Sequence, residues 1–202
     1  MEISVVVTNY NYSKFIGRCV RSLLNQNVPK EIFEIIVVDD CSTDESVEIL
    51  KIFSESIRTI ILDQNIGLGA ASNVGIRSAK GRYVVRVDSD DYVHPDFLKI
   101  LLLGFEFFGK DVEAISTDYF SVSPAGEIIK YGDARKNPIA CGIAFKIDAL
   151  ESLGYYNPKL RLGEEIDLRN RFEKENFLIK HIELPLYKYV QHDSSLSKKS
   201  LI

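Results

Sequence analysis

Asp88-Ser89-Asp90-Asp91 packs three carboxylates into four residues, directly after the β-branched run from Tyr83 to Val87. Alternate residues of an extended segment face the same way, which lets Asp88 and Asp90 converge on one point. Two carboxylates, together with phosphate oxygens and water, make a hard oxygen site suited to Mg²⁺ or Mn²⁺. Such a metal would neutralise a diphosphate and improve it as a leaving group. Repulsion among three adjacent carboxylates is unfavourable unless a cation offsets it, which favours a metal over a purely structural role. The competing reading is a helix-capping turn leading into Pro95. An EF-hand is excluded, because Tyr92 and Val93 stand where that loop needs a ligand and a glycine.

A second carboxylate group, Glu164-Glu165-Ile166-Asp167, opens a predicted helix. Acidic residues in a first turn complement the helix dipole, and that alone explains them. The alternative makes Glu164 or Glu165 a general base that removes a proton from an attacking hydroxyl. His192 lies in a polar stretch before Asp193-Ser194-Ser195. It is either a surface residue or a neutral imidazole offered to a metal or a diphosphate. Gly67 and Gly69 form a tight turn into a helix whose amides can face a phosphate or sugar, though turn geometry explains them equally well. No P-loop, GxGxxG or Ser/His/Asp order is present.

The elements that must position these groups alternate between strand and helix. Strands are expected at 3–7, 35–38, 59–62 and 83–87. Ser13 is placed to cap a helix whose apolar residues Ile16, Cys19, Val20, Leu23 and Leu24 share one face. Ser42-Thr43-Asp44-Glu45 has capping-box spacing and opens a helix through Phe53. Further helices are expected at 70–79, 148–153, 164–175 and from Pro95, as first helical residue, to Lys110. Later strands are expected at 114–117, at 179 and over 185–190, with a turn at 123–126. Such alternation implies right-handed crossovers and a mostly parallel sheet with a mixed second half. Ligands of open parallel sheets bind beyond the carboxyl ends of the strands. There the chain carries Thr8-Asn9-Tyr10, Asp39-Asp40, Asp63-Gln64-Asn65 and Asp88–Asp91.

Composition sets the outer limits. With 46% hydrophobic and 27% charged residues, the 202-residue chain has the make-up of an ordinary globular α/β domain, and one domain is expected. A net charge of −4 gives no basic footprint for nucleic acid. Cys19, Cys41 and Cys141 are odd in number and far apart, which suits a reducing compartment and no zinc site. Met1–Val5 enters an apolar strand without signal-peptide features, so a cytoplasmic protein is expected. The Phe105, Phe107 and Phe108 helix is expected to be buried rather than to touch a membrane.

Taken in order, these segments resemble family 2 glycosyltransferases, which have the GT-A fold. Val5-Val6-Val7-Thr8-Asn9-Tyr10-Asn11 is similar to the family's first nucleotide loop, and Val37 to Asp44 to its "VDDGSTD" segment, with Cys41 in place of glycine. Asn65-Ile66-Gly67 through Gly75, Lys80-Gly81-Arg82-Tyr83 with Val87–Asp91, and Cys141–Phe145 with Leu153–Tyr156 resemble the later blocks. The resemblance implies a single GT-A domain over 1–202, with a nucleotide-sugar half at 1–91 and an acceptor half at 92–202. It implies an inverting displacement from a nucleotide-sugar, of UDP type, onto a glycan or lipid-linked acceptor, with Mn²⁺ or Mg²⁺. Thr8, Tyr10 and Asp39 would meet the base, and Gly67 the donor. Asp88 would meet the ribose or sugar and share the metal with Asp90. Glu165 or Glu164 would be the base, and His192 would close over the diphosphate. Peripheral contact with the inner face of the membrane and a homodimer are the further partner options.

Three departures stand out. Glu165 occupies the place of the usual catalytic Asp and is one methylene longer. Ser72 stands where many members carry Arg, leaving a cationic donor contact to Arg77, Arg82 or Arg86. The chain also ends soon after His192, where many relatives continue. The rival readings are a nucleotide-sugar-binding protein without transfer activity and a nucleotidyltransferase, which would want a Gly- and Arg/Lys-rich first loop. More distant is a dehalogenase-like phosphatase, whose DxD lies on the first strand rather than the fourth.

Overall fold

The computed structural model describes residues 1–160 and 163–193. Ser194 and Ser195, named above, lie outside the described residues.

The first half alternates as the pattern requires: β1 (Ile3–Asn9), α1 (Ser13–Leu24), β2 (Phe33–Asp39), α2 (Ser46–Lys51), β3 (Arg58–Ile61), α3 (Leu68–Arg77) and β4 (Tyr83–Asp88). After these come the short β5 (Tyr92–Val93), α4 (Phe97–Phe108), β6 (Ala114–Val122), β7 (Ile128–Gly132), β8 (Ile143–Lys146), α5 (Ile147–Leu153), α6 (Glu164–Lys174) and β9 (Ile179–Val190). The described strands form one sheet in the order β3-β2-β1-β4-β8-β6-β9-β5, with β7 beside β6. β3, β2, β1 and β4 run parallel, whereas β8 is antiparallel to both β4 and β6. Strand order reverses between β1 and β4, so the crevice lies beyond the ends of those two strands.

β1 is buried along its whole length, as expected of a strand covered on both faces. Ile3, Val5 and Val7 join α1 and α4 in the main core, while Val6 packs on the opposite face with Ile76 and Val84. Each such side chain contributes about 1.5–3 kcal/mol through burial. Gly75 sets how closely α3 can approach: a Cβ there would lie 2.4 Å from Val6 Cγ1. That close seat brings the first turn of α3 to the end of β1.

Several local expectations are corrected. The helix expected from Ser42 starts at Ser46, because Ser42 Oγ bonds Asp39 Oδ2 at 2.7 Å and Asp44 accepts from the Ser13 and Ser46 amides instead of capping. Ser13 is the first helical residue rather than the cap, and Pro95 precedes the Asp96 cap of α4. The two late strands are one strand, β9, kept continuous across Pro185 by register shifts against β6.

Cys41, the residue standing where the family has glycine, holds φ +66°. In that region a Cβ crowds the next carbonyl at a cost of about 1–2 kcal/mol, whereas glycine costs only about 0.5–1 kcal/mol in chain entropy. Cys41→Gly should therefore raise the melting temperature by about 1–3 °C and Cys41→Val should lower it. A lower Tm for the glycine variant would mean that the Cys41 Sγ contact to Asp63 O, at 3.6 Å, outweighs the strain.

Candidate active site

A cavity of about 240 Å³ opens at the carboxyl ends of β1 and β4. Thr8, Tyr12, Leu68, Asp88, Asp90 and Glu165 are among its walls. Strand ends bring Thr8 and Asp88 side by side, since the two are register partners in the β1–β4 ladder. Thr8 Oγ1 is buried there without a hydrogen-bond partner.

The acidic loop is a turn rather than an extended segment, closed by a hydrogen bond from the Asp91 amide to Asp88 O at 3.0 Å. Asp88 and Asp90 still share the cavity, but the turn sends Asp91 inward. It is 1% exposed. Its carboxylate accepts from Tyr187 Oη at 2.8 Å and from the Val190 amide at 2.7 Å, and so ties the loop to β9. Burial, with Asp90 and Asp88 adding repulsion, pushes Asp91 well above the usual carboxylate range. Burial and Asp88 also raise Asp90, against the lowering contact of His192.

Arg86 stands two residues before Asp88 on β4 and so faces the same side. It is 3% exposed. Its Nη1 donates to Glu164 Oε1 at 3.1 Å, its Nε lies 3.3 Å from Asp88 Oδ1, and its guanidinium lies 5.2 Å from the Tyr156 ring centroid. A buried guanidinium needs such compensation, and the compensation divides the work of the two glutamates. Glu164, 2% exposed, is held by Arg86, while Glu165 is half-buried and carries no ion pair among the described residues. Burial raises the Glu165 carboxyl above the ordinary glutamate value. Of the three cationic candidates, Arg86 alone lines this cavity; Arg77 and Arg82 lie over the Tyr155 and Tyr83 rings.

His192 reaches the same loop from the end of β9. Its Nε2 lies 2.9 Å from Asp90 Oδ2, and its ring stacks on Phe15 at 4.4 Å between centroids. His192 Nδ1 is buried without a hydrogen-bond partner, and Asp88 Oδ1 accepts no hydrogen bond, its charge contact being Arg86 Nε. The carboxylates of Asp88 and Asp90 suit Mn²⁺ or Mg²⁺, with His192 beside Asp90 as a further donor. The ligand atoms of these three do not all lie within 4.8 Å of one another in this structure. The group that does converge on Asp88 is Asp91 and Cys141, whose ligand atoms lie within 4.8 Å of one another and of an Asp88 oxygen. Asp91, however, already accepts its three donors, Cys141 Sγ among them at 3.7 Å, and burial pushes the Cys141 thiol up. That grouping is structural.

Four expected donor contacts fall outside the cavity walls, His192 among them although it touches Asp90. Asp39 is fully buried and accepts from Asn9 Nδ2 at 2.8 Å and from the Ser42 amide and hydroxyl. The Gly67 amide donates to Asp40 Oδ2 at 2.9 Å, beside the Ile66 amide on Oδ1, so it is already taken. Leu68, the next residue, is the one that reaches the wall. Tyr10 is 45% exposed, and its neighbour Tyr12 lines the cavity instead. Tyr12, Ile139 and Tyr189 are wall residues that sequence reasoning did not single out. The period-two step from Asp88 back to Arg86 was a usable signal for the ion pair.

The glycosyl transferase family 2 model matches residues 4–153. The putative teichuronic acid biosynthesis glycosyltransferase TuaG of Bacillus subtilis is 33% identical over 177 residues, covering 81% of this chain and 69% of TuaG. The chondroitin synthase of Pasteurella multocida is 30% identical over 211 residues, covering 98% of this chain and 22% of that protein. The poly(ribitol-phosphate) β-glucosyltransferase of Bacillus spizizenii is 42% identical over 102 residues, and only 16% of its length is matched. Among solved structures, Staphylococcus aureus TarS 1–349 in complex with UDP-GlcNAc superposes with a TM-score of 0.83 at 24% identity, over 96% of this chain and 60% of that one. A Pyrobaculum calidifontis mannosyltransferase with GDP-Man and Mn²⁺ gives 0.74 at 19%, over 99% and 59%. The curled, mostly parallel mixed sheet is therefore the GT-A fold. With three quarters of its length matched by the family model, the chain belongs to glycosyl transferase family 2.

Proposed function

We propose that this chain transfers a glycosyl unit from a nucleoside-diphosphate sugar to a hydroxyl of a glycan or lipid-linked acceptor, with inversion. The observation that carries the reading is the single cavity that brings Thr8, Asp88 and Asp90 from one set of strand ends against Glu165 from α6. UDP is the carrier favoured by the likeness to TarS with UDP-GlcNAc. The relatives named for teichuronic acid and chondroitin favour a role in cell-surface polysaccharide synthesis. Among the described residues no helix is long and apolar enough to cross a membrane.

Each residue then has a defined task. Asp88, Asp90 and His192 would hold a divalent cation, which supplies charge neutralisation for the departing diphosphate. Tyr10, exposed just beyond β1, takes the nucleobase, while Asp39, its oxygens already engaged by Asn9 and Ser42, shapes that loop, with the orphaned Asn9 Oδ1 beside it as a further acceptor. Glu165 takes the proton of the attacking hydroxyl, and its raised pKa makes it a stronger base than an exposed glutamate. Arg86 fixes Glu164, and through α6 it fixes Glu165 against the donor end. Ile139 and Tyr189 narrow the cavity and limit water, which would otherwise compete as acceptor.

Removing one of the carboxylates facing the diphosphate should forfeit several kcal/mol of transition-state stabilisation. Asp90→Ala is therefore expected to lower Mn²⁺-dependent turnover of a UDP-sugar, hydrolysis included, by about 100-fold or more. Turnover within a factor of two of wild type would overturn the metal assignment.

Glu165 accepts a proton only when ionised, so activity should rise with pH through its raised pKa. The acid limb of kcat/KM should then lie above the ordinary glutamate value. Glu165→Gln should lower kcat by about 10²–10⁴-fold and remove that limb. An unchanged limb in this variant would assign the base elsewhere.

A further inference from the structure

A second cavity, also of about 240 Å³, lies further along α6, with Thr117, Arg135, Ile139, Arg169, Glu173 and His181 among its walls. A small pocket of about 20 Å³, the neck, lies between the two cavities in the sense that it shares wall residues with each. Ile139, Ala140 and Glu165 line both the first cavity and the neck, while Ile139, Ile143, Arg169 and Ile179 line both the neck and the second cavity. The order is thus Asp88 and Asp90, then Glu165, then the neck, then the second cavity. A base must stand between the donor's reacting carbon and the acceptor hydroxyl, so the second cavity lies on the acceptor side of Glu165.

Its chemistry is specific. Ile139, Ile143 and Ile179 provide apolar wall for the carbon face of a ring or polyol. Thr117 is 4% exposed and its Oγ1 has no hydrogen-bond partner, an unmet need of the kind a ligand hydroxyl satisfies. His181 is a fixed wall, with Nδ1 2.9 Å from Ser116 Oγ and Nε2 2.9 Å from Asp118 Oδ1. The two arginines differ. Arg135 is engaged by Asp133 at 3.0 Å and Glu183 at 2.7 Å. Arg169 is half-buried and makes no ion pair or side-chain hydrogen bond among the described residues. Glu173, one helical turn on, is exposed and does not pair with it. A guanidinium left free in a partly desolvated cavity is a ready partner for a carboxylate or phosphate.

We propose that this second cavity is an acceptor subsite for an anionic, polyhydroxylated unit one position behind the reacting one, with Arg169 as its charge contact. The proposal rests on the transfer reading above, because Glu165 supplies its direction. It makes the acceptor an oligomer that carries repeating negative charge.

Binding can be read by ligand-observed NMR with UDP and Mn²⁺ present, using two matched probe pairs. One pair is a hexuronate tetrasaccharide and its carboxyl-reduced form; the other is a polyol-phosphate oligomer and its phosphate-free polyol. At least one charged probe should bind more tightly than its neutral partner, and which pair responds tells carboxylate from phosphate. Arg169→Ala should weaken that probe by about tenfold or more and leave the neutral one unchanged, with Arg169→Lys intermediate. Equal affinity within both pairs, or equal loss for charged and neutral probes, would overturn the subsite. UDP binding in the same wild-type samples reports the first cavity separately. Its absence would sink the donor reading, while the charged-versus-neutral difference still decides the subsite.

Discussion

The site depends on one buried charge. Arg86 sits inside the sheet at 3% exposure, and a guanidinium there is tolerable only with anions beside it. Asp88 supplies one from the end of its own strand, and Glu164 supplies the other from the first turn of α6. Removing either partner would leave part of the charge uncompensated in a poorly polarisable interior, where breaking a buried pair costs about 3–5 kcal/mol. The pair spans the two halves of the chain, from β4 to α6. The same interaction that makes the interior tolerable therefore holds the helix bearing Glu165 against the strand end bearing the acidic loop.

Environment, more than residue type, then assigns the carboxylates. Asp91 and Asp90 are adjacent and chemically identical, yet one anchors β9 through Tyr187 and Val190 while the other faces the cavity beside His192. Asp39 and Asp40 are both buried and differ instead in the segments they hold. Asp39 organises Asn9 and Ser42, and Asp40 holds the Ile66 and Gly67 amides so that α3 begins at the cavity wall. Glu164 and Glu165 divide between compensating Arg86 and facing the cavity. In the Asp90/Asp91 and Glu164/Glu165 pairs the more buried member is tied to partners within the protein, and the other faces the cavity.

Much of this was legible in the chain. Apolar β-branched runs and helical patterning located β1 to β4 and the helices between them, and the rule for parallel sheets pointed to the strand ends that carry Thr8, Asp88 and Asp90. The limits fell where a polar side chain has a choice of partners. Ser42 and Asp44 have the spacing of a helix cap but are drawn to Asp39 and Ser13, which moves the start of α2 to Ser46. The extended reading of Asp88–Asp91 failed because a turn bond forms, and only that turn shows which aspartate points inward. Pairings distant in sequence, such as Arg86 with Glu164 and Asp90 with His192, leave no local periodicity to read. The second cavity exists only once β6, β9 and α6 are packed together.

The central claim is that the acidic loop and its neighbours form a metal-assisted site for a nucleoside diphosphate. Calorimetric titration of the wild-type protein with UDP, with Mn²⁺ and with the metal removed by chelator, tests it most directly. One-to-one binding that requires Mn²⁺ is the predicted result. Equal affinity without the metal, or no binding in either condition, would contradict the account.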